Sequence, residues 1–173
     1  ATGEIVHNLL GHFKQVSGLI FSESGRLLAS GSADVGSRGY GEVAMWTTEP
    51  AHNLALDSRQ PWGVYKLAYS PDERWLAFYN NGNLRIWSVP ERRLYAYFDS
   101  SAVEFTFSPD SGLLVAGDRD GNVILYEVPS GKELAVYPAA LRSINGLSFS
   151  LDSRTLIVTA HDGVVRLFGV QQP

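Results

Sequence analysis

The residues able to do chemistry are few and scattered. Four histidines, His7, His12, His52 and His161, carry the metal-binding potential, and no cysteine accompanies them. A zinc site groups its ligands closely, and neither an HExxH nor an HxH spacing occurs. His7 and His52 fall in short outer runs and are expected to be solvated. Asp118-Arg119-Asp120-Gly121-Asn122 opens like a calcium loop. An EF-hand loop also needs Gly at its sixth position and Glu at its twelfth. Val123 and Pro129 stand there, so the segment is expected to be a polar hairpin turn. Gly36-Ser37-Arg38-Gly39-Tyr40-Gly41 is Gly-rich. A phosphate cradle needs a helix behind it, whose N-terminus supplies free N–H groups. Glu42-Val43-Ala44-Met45-Trp46 alternates like a strand instead. No G-x-S-x-G elbow is present, and no two carboxylates can be placed across a cleft. The expectation is no catalytic residue, no metal and no cofactor.

Composition narrows the class further. The chain has 173 residues, 45% hydrophobic and 18% charged, with a net charge of −4. That supports a sizeable core and a globular fold. Three lysines (Lys14, Lys66, Lys132) and a negative net charge argue against nucleic acid as the partner. Without cysteine there is no disulfide, thiolate metal site or cysteine nucleophile. No apolar run approaches the roughly 20 residues that span a bilayer as a helix. There is no signal peptide and no initiator Met, so the chain is expected to be excised or processed. The compartment stays open, with the cytoplasm preferred.

The elements that position these residues come from a repeat. Four segments align: Val16 to Trp46, Val64 to Trp87, Ala102 to Tyr126, and Ile144 to Phe168. Each opens with an apolar stretch closing on an aromatic-Ser pair: Phe21-Ser22, Tyr69-Ser70, Phe107-Ser108 and Phe149-Ser150. A turn follows, then an apolar strand, then a second turn carrying Gly: Gly41, Gly82, Gly121 and Gly163. Asn-Gly and Asp-Gly tolerate positive φ and are strong hairpin signals. The third strand ends on Trp46, Trp87, Tyr126 or Phe168, which lie 41, 39 and 42 residues apart. A fourth, outer apolar run stands between units: Glu4–Leu10, His52–Leu56, Arg93–Phe98 and Glu133–Tyr137. Short strands at this spacing predict an all-β fold, and four strands per unit of about 40 residues predict β-propeller blades.

Here the chain resembles the WD-repeat family of β-propellers, over nearly its whole length. Unit one matches best: Gly11-His12, Val16 to Ser22, Leu27-Leu28-Ala29-Ser30-Gly31-Ser32, Asp34 and Trp46. The resemblance implies a hydrogen-bonded tetrad of His12, Ser30, Asp34 and Trp46 that ties one blade together. The other units lack the Gly-His pair. Phe78, Ala116 and Val158 or Thr159 stand near the Ser position, and only Trp87 keeps the indole. The blades are expected at about 11–59, 60–98, 99–138 and 139–173, with outer strand 3–10 completing the last one.

A ring of seven such blades needs roughly 300 residues. Three readings follow: part of a larger propeller, half of a two-chain eight-blade ring formed by a homodimer, or a closed four-blade ring. An open monomeric arc would expose two apolar blade faces. The resemblance also implies a function: a non-catalytic scaffold that docks a protein or peptide on the loop face around the channel. That face is expected to carry Lys14, Arg38, Tyr40, Trp62, Tyr79, Asn80, Arg119, Arg142 and His161. The insert Val35–Tyr40 makes the first hairpin loop about six residues longer than its counterparts, and long loops are often functional. The charges of the face are mainly Arg and Lys, so the expected partner is an acidic peptide. The alternatives are a propeller-fold hydrolase or lyase with its site at the channel mouth, and a self-assembling structural repeat.

Overall fold

The computed structural model describes residues 3–33, 40–61, 63–80, 83–99 and 101–170, with the backbone alone at 56–61 and 99. Asp34, Arg38 and Trp62 lie outside the described residues. The chain divides into two compact units, Ala1–Leu67 and Ala68–Pro173. Described residues contain strands and turns and no helix.

The first sheet is a meander of β1 (Gln15–Phe21), β2 (Leu27–Ala33), β3 (Tyr40–Thr48) and β4 (Ala51–Pro61). The second comprises β5 (Lys66–Tyr69), β6 (Trp75–Asn80), β7 (Asn83–Ser88) and β8 (Arg93–Asp99). The third comprises β9 (Ala102–Phe107), β10 (Leu113–Asp118), β11 (Asn122–Glu127) and β12 (Glu133–Pro138). The fourth has three strands: β13 (Ile144–Phe149), β14 (Thr155–Ala160) and β15 (Val165–Gly169).

The turn between first and second strands repeats one serine contact in all four sheets. Ser22, Ser70, Ser108 and Ser150 each accept the N–H that opens the next strand, at 3.1, 3.0, 2.9 and 2.9 Å. In the last three sheets the same hydroxyl donates to an aspartate two residues on: Asp72 at 2.6 Å, Asp110 at 2.5 Å and Asp152 at 2.6 Å. Each aspartate then accepts a backbone N–H two residues further along. This is the side chain-to-backbone substitution that makes Ser and Asp turn formers. The Ser108 hydroxyl and the Gly112 N–H hold the Asp110 carboxyl below its ordinary value. The chain crosses into positive φ at Gly25 in the first turn, and at Glu73, Ser111 and Ser153 in the others.

In the second unit the sheets pack face to face. Trp75, Leu84, Ile86 and Phe98 meet Phe105, Phe107, Leu114, Ile124 and Tyr126 in one cluster. The opposite face of the third sheet, through Val115 and Val123, meets Ile144, Leu156 and Val158 in another. Alternation along β10 sends Leu114 and Val115 to opposite faces. Close approach demands glycine at Gly117, where a Cβ would stand 2.5 Å from Ile144 Cγ2.

One element departs from expectation. Residues 3–12, expected to hold outer strand Glu4–Leu10, carry no strand. An isolated strand leaves every N–H and C=O to water, so the segment needs a sheet edge to become one. The last sheet accordingly ends at β15, without a fourth strand among the described residues.

Candidate functional site

The first sheet buries a polar chain that register makes possible. Ser32 pairs with Glu42, Ser30 with Ala44, and Leu28 with Trp46. Period-2 alternation puts Ser30, Ser32, Glu42 and Trp46 on one face. Trp46 Nε1–H donates to Ser30 Oγ at 2.8 Å, and Ser30 Oγ lies 2.6 Å from His12 Nε2. His12 Nδ1 lies 2.9 Å from Glu42 Oε2. The same oxygen accepts the Ser32 hydroxyl at 3.0 Å and the Phe13 N–H at 3.0 Å. With the imidazole proton on Nδ1, every donor in this chain finds an acceptor. Burial pushes the Glu42 carboxyl up. The bonds from His12, Phe13 and Ser32 outweigh it and hold the group below its ordinary 4.5.

Sequence reasoning missed the carboxylate here. Glu42 stands two and four residues before Ala44 and Trp46, on the same face of β3, and that spacing was the available signal. Asp34, named for this role by resemblance, lies outside the described residues. Ser30, Ser32, Glu42 and Trp46 are all buried, so the network lies inside the first unit.

The other polar candidates are also committed. Asp118 Oδ1 accepts the N–H of Asp120 and of Asn122 at 2.9 and 2.7 Å, and Oδ2 accepts Asn122 Nδ2 at 2.7 Å. Its carboxylate caps the β10–β11 hairpin. His52 Nδ1 sits 2.7 Å from Thr47 Oγ1 on the exposed side of β4. Among the described residues no three His, Cys, Asp or Glu side chains gather as metal ligands.

The predicted docking residues divide between the two units. Lys14 and Tyr40 are exposed at one end of the first sheet. Tyr79 is half-buried against the cluster of the second and third sheets, and Asn80 is buried. Arg119, Arg142 and His161 are exposed on three loops of the second unit. Those loops are bonded in series. The Ala139 and Ala140 N–H groups donate to Gly121 O at 2.9 Å, joining the β12–β13 loop to the β10–β11 turn. His161 N–H donates to Ser143 O at 3.0 Å, joining that loop to the β14–β15 turn. Within the β14–β15 hairpin, Arg166 donates to Asp162 at 2.6 and 3.1 Å. The Arg166 guanidinium holds the Asp162 carboxyl down at about 2; burial opposes this, and the Val164 and Leu141 N–H groups assist. Sequence reasoning also passed over Leu141, which is 90% exposed beside Arg142.

Comparison with known proteins identifies this arrangement. The family model described as WD domain, G-beta repeat matches residues 3–34, 54–88, 91–127 and 131–169. The chain belongs to the WD-repeat family. Its four sheets are therefore propeller blades. A periodic tryptophan protein 2 homolog from Neurospora crassa is 28% identical over 95% of the chain. A pre-mRNA-processing factor 19 homolog from Arabidopsis thaliana is 26% identical over 94%. The small ribosomal subunit protein RACK1 from Medicago sativa is 24% identical over 95%. The chain spans 20%, 32% and 42% of those relatives' lengths. The crystal structure of the computationally designed Ika4 protein superposes with a TM-score of 0.78 at 18% identity, covering 98% of this chain and 100% of that one. The designed Ika8 protein gives 0.74 at 19% identity, covering 94% of this chain and 48% of that one. At these identities the superpositions show the WD-repeat chain's fold alone.

Proposed function

We propose that this WD-repeat chain is a non-catalytic scaffold that docks a protein segment of acidic character on the exposed blade-end loops. One observation carries the reading. His12, Glu42, Asp118 and His52 make internal hydrogen bonds, whereas Arg119, Arg142, Leu141 and His161 stand exposed on three loops bonded to one another. Arg119 and Arg142 form no ion pair among the described residues. Two unneutralised guanidiniums beside an exposed leucine suit a carboxylate-flanked apolar side chain. Lys14 and Tyr40 offer a cation and an aromatic ring on the first unit, and Arg38 and Trp62 belong to the same docking set by resemblance. One relative is named as a protein of the small ribosomal subunit, which supports work inside an assembly.

The test is an array of acidic peptides probed by fluorescence polarisation. Arg119→Glu with Arg142→Glu should weaken the best binders at least tenfold, about 1.4 kcal/mol, without lowering the melting temperature. Unchanged affinity removes this face.

A second reading concerns assembly: two copies of the chain complete one ring. It is favoured by apolar faces exposed at both ends of the repeat. Leu19 in β1 is 64% exposed, whereas Phe105, at the same repeat position in β9, is 3% exposed between blades. Leu167 in β15 is 69% exposed. A second copy presents the complement of each face. Sedimentation equilibrium should return twice the chain mass, and a single-chain mass would end this reading.

A further inference from the structure

The fourth blade exposes a side chain able to react with its own backbone. Asn145 stands exposed in β13 and is followed by Gly146. Ile144 pairs with Ala160 and Gly146 with Thr159, so Asn145 has no counterpart on β14. It is the extra residue of a β-bulge, and such a residue is released from the ladder. The first and third blades bulge at the same place, at Ser17 and Val103. Ser17 ties its hydroxyl to Val64 O at 2.6 Å, and Val103 carries no reactive group. Of these three bulges, that of the fourth blade alone holds a carboxamide. Thr159 Oγ1–H donates to Asn145 Oδ1 at 2.7 Å. Such a bond strengthens as the carbonyl oxygen gains negative charge, so it favours attack at Cγ. A Cβ at Gly146 would lie 2.5 Å from Thr159 Oγ1. The close threonine thus requires glycine there, and glycine leaves the attacking nitrogen uncrowded.

Asn122 shows the opposite arrangement. It pairs with Pro138 in the ladder. Its Nδ2 donates to Asp118 Oδ2 and its N–H to Asp118 Oδ1, both at 2.7 Å. Branched Val123 follows it. We propose that Asn145 is a self-modification site, at which the folded chain converts its own carboxamide to aspartate and isoaspartate. The Gly146 nitrogen attacks Asn145 Cγ, and a new C–N bond forms as the Cγ–Nδ2 bond breaks. Nδ2 leaves as ammonia, taking the proton of the Gly146 N–H, and a five-membered imide remains. Water then adds to either imide carbonyl. One opening gives aspartate. The other gives isoaspartate, whose backbone runs through the side-chain carbon. Either product adds one negative charge, and isoaspartate lengthens the backbone between Ile144 and Gly146. That stretch is packed: Ile144 is buried against Gly117, and Ser143 O accepts the His161 N–H.

The folded chain is incubated in mildly alkaline buffer at physiological temperature, digested, and mapped by mass spectrometry at each asparagine. Asn81, which also precedes a glycine, is read on a separate peptide. Methylation by an isoaspartyl methyltransferase reports the isomer. Asn145 should convert at least about tenfold faster than Asn122. Thr159→Val should slow the conversion about threefold or more, and Thr159→Ser, which keeps the hydroxyl, should return the parent rate. Circular dichroism checks that each variant stays folded. If Thr159→Val unfolds, the comparison of Asn145 with Asn122 in the parent and in Thr159→Ser still decides. Conversion at Asn145 no faster than at Asn122 overturns the site. A rate that Thr159→Val leaves unchanged or raises, in a folded chain, overturns the role given to the hydroxyl.

Discussion

The first and second blades share a frame and differ in what fills it. Both end their third strand on tryptophan, in the same register: Leu28 opposite Trp46 and Leu76 opposite Trp87. In the first blade the indole N–H reaches Ser30, then His12, then Glu42. In the second, Phe78 stands at the serine position, and Trp87 Nε1 is buried without a partner among the described residues. Tyr69 and Arg85 of the same sheet also each bury a polar atom without a partner there. A buried donor left unmade costs about 1–3 kcal/mol. The second blade nonetheless folds, since Phe78, Leu76, Leu84 and Ile86 are fully buried. Apolar alternation therefore carries the blade, and the polar chain is an added register lock that one blade keeps and another lacks.

The comparison can be broken most forcefully at Phe78. Phe78→Ser restores the hydroxyl of the first blade but empties a packed site, and should cost about 3–5 kcal/mol in urea unfolding. Near-neutrality would mean that the polar lock, and not packing, governs the blade. Next come the two tryptophans. Trp46→Phe breaks the chain at its first donor and should cost about 2–3 kcal/mol, whereas Trp87→Phe loses only volume and should cost about 1 kcal/mol less. Equal costs would erase the distinction between the blades.

Glu42→Gln sharpens it through pH. A carboxyl held below its ordinary 4.5 contributes stability above that value and loses it as pH falls through the folded value. The variant should be about 1–2 kcal/mol less stable than the parent at pH 7. Its urea midpoint should converge on the parent's as pH falls below 4.5 and through the folded value. The smallest effect belongs to the turn that all blades share. Gly25 sits at φ 71° with open space around its Cβ position, so Gly25→Ala isolates backbone strain, about 1 kcal/mol. The melting temperature should fall by a few degrees.

Much of the fold is legible in the residues themselves. The aromatic-Ser pairs, the turns after them and the spacing of Trp46, Trp87, Tyr126 and Phe168 announce the blades, because turn chemistry and alternation are local. The carboxylate partner of His12 is not legible from local pattern alone. It depends on how β2 and β3 register across the Val35–Tyr40 insert, which brings Glu42 beside Ser32. Glu4–Leu10 has the composition of a strand but joins no sheet among the described residues, and a sheet edge is a tertiary property. Exposure at Tyr79 and Leu141 is tertiary in the same way. Tyr79 packs half-buried against the cluster of the second and third sheets, and Leu141 stands exposed on its loop.

The central claim is that the buried polar chain of the first blade is structural and that the proposed docking uses the exposed loops. Its most direct test measures affinity for the best acidic peptide and melting temperature together, in Arg119→Glu/Arg142→Glu and in Ser30→Ala. The account predicts at least tenfold weaker binding with unchanged melting in the first. In the second it predicts a loss of about 2 kcal/mol of stability, with affinity unchanged while the chain is folded. Lost binding in Ser30→Ala at full folding, with binding retained in the loop variant, would contradict it.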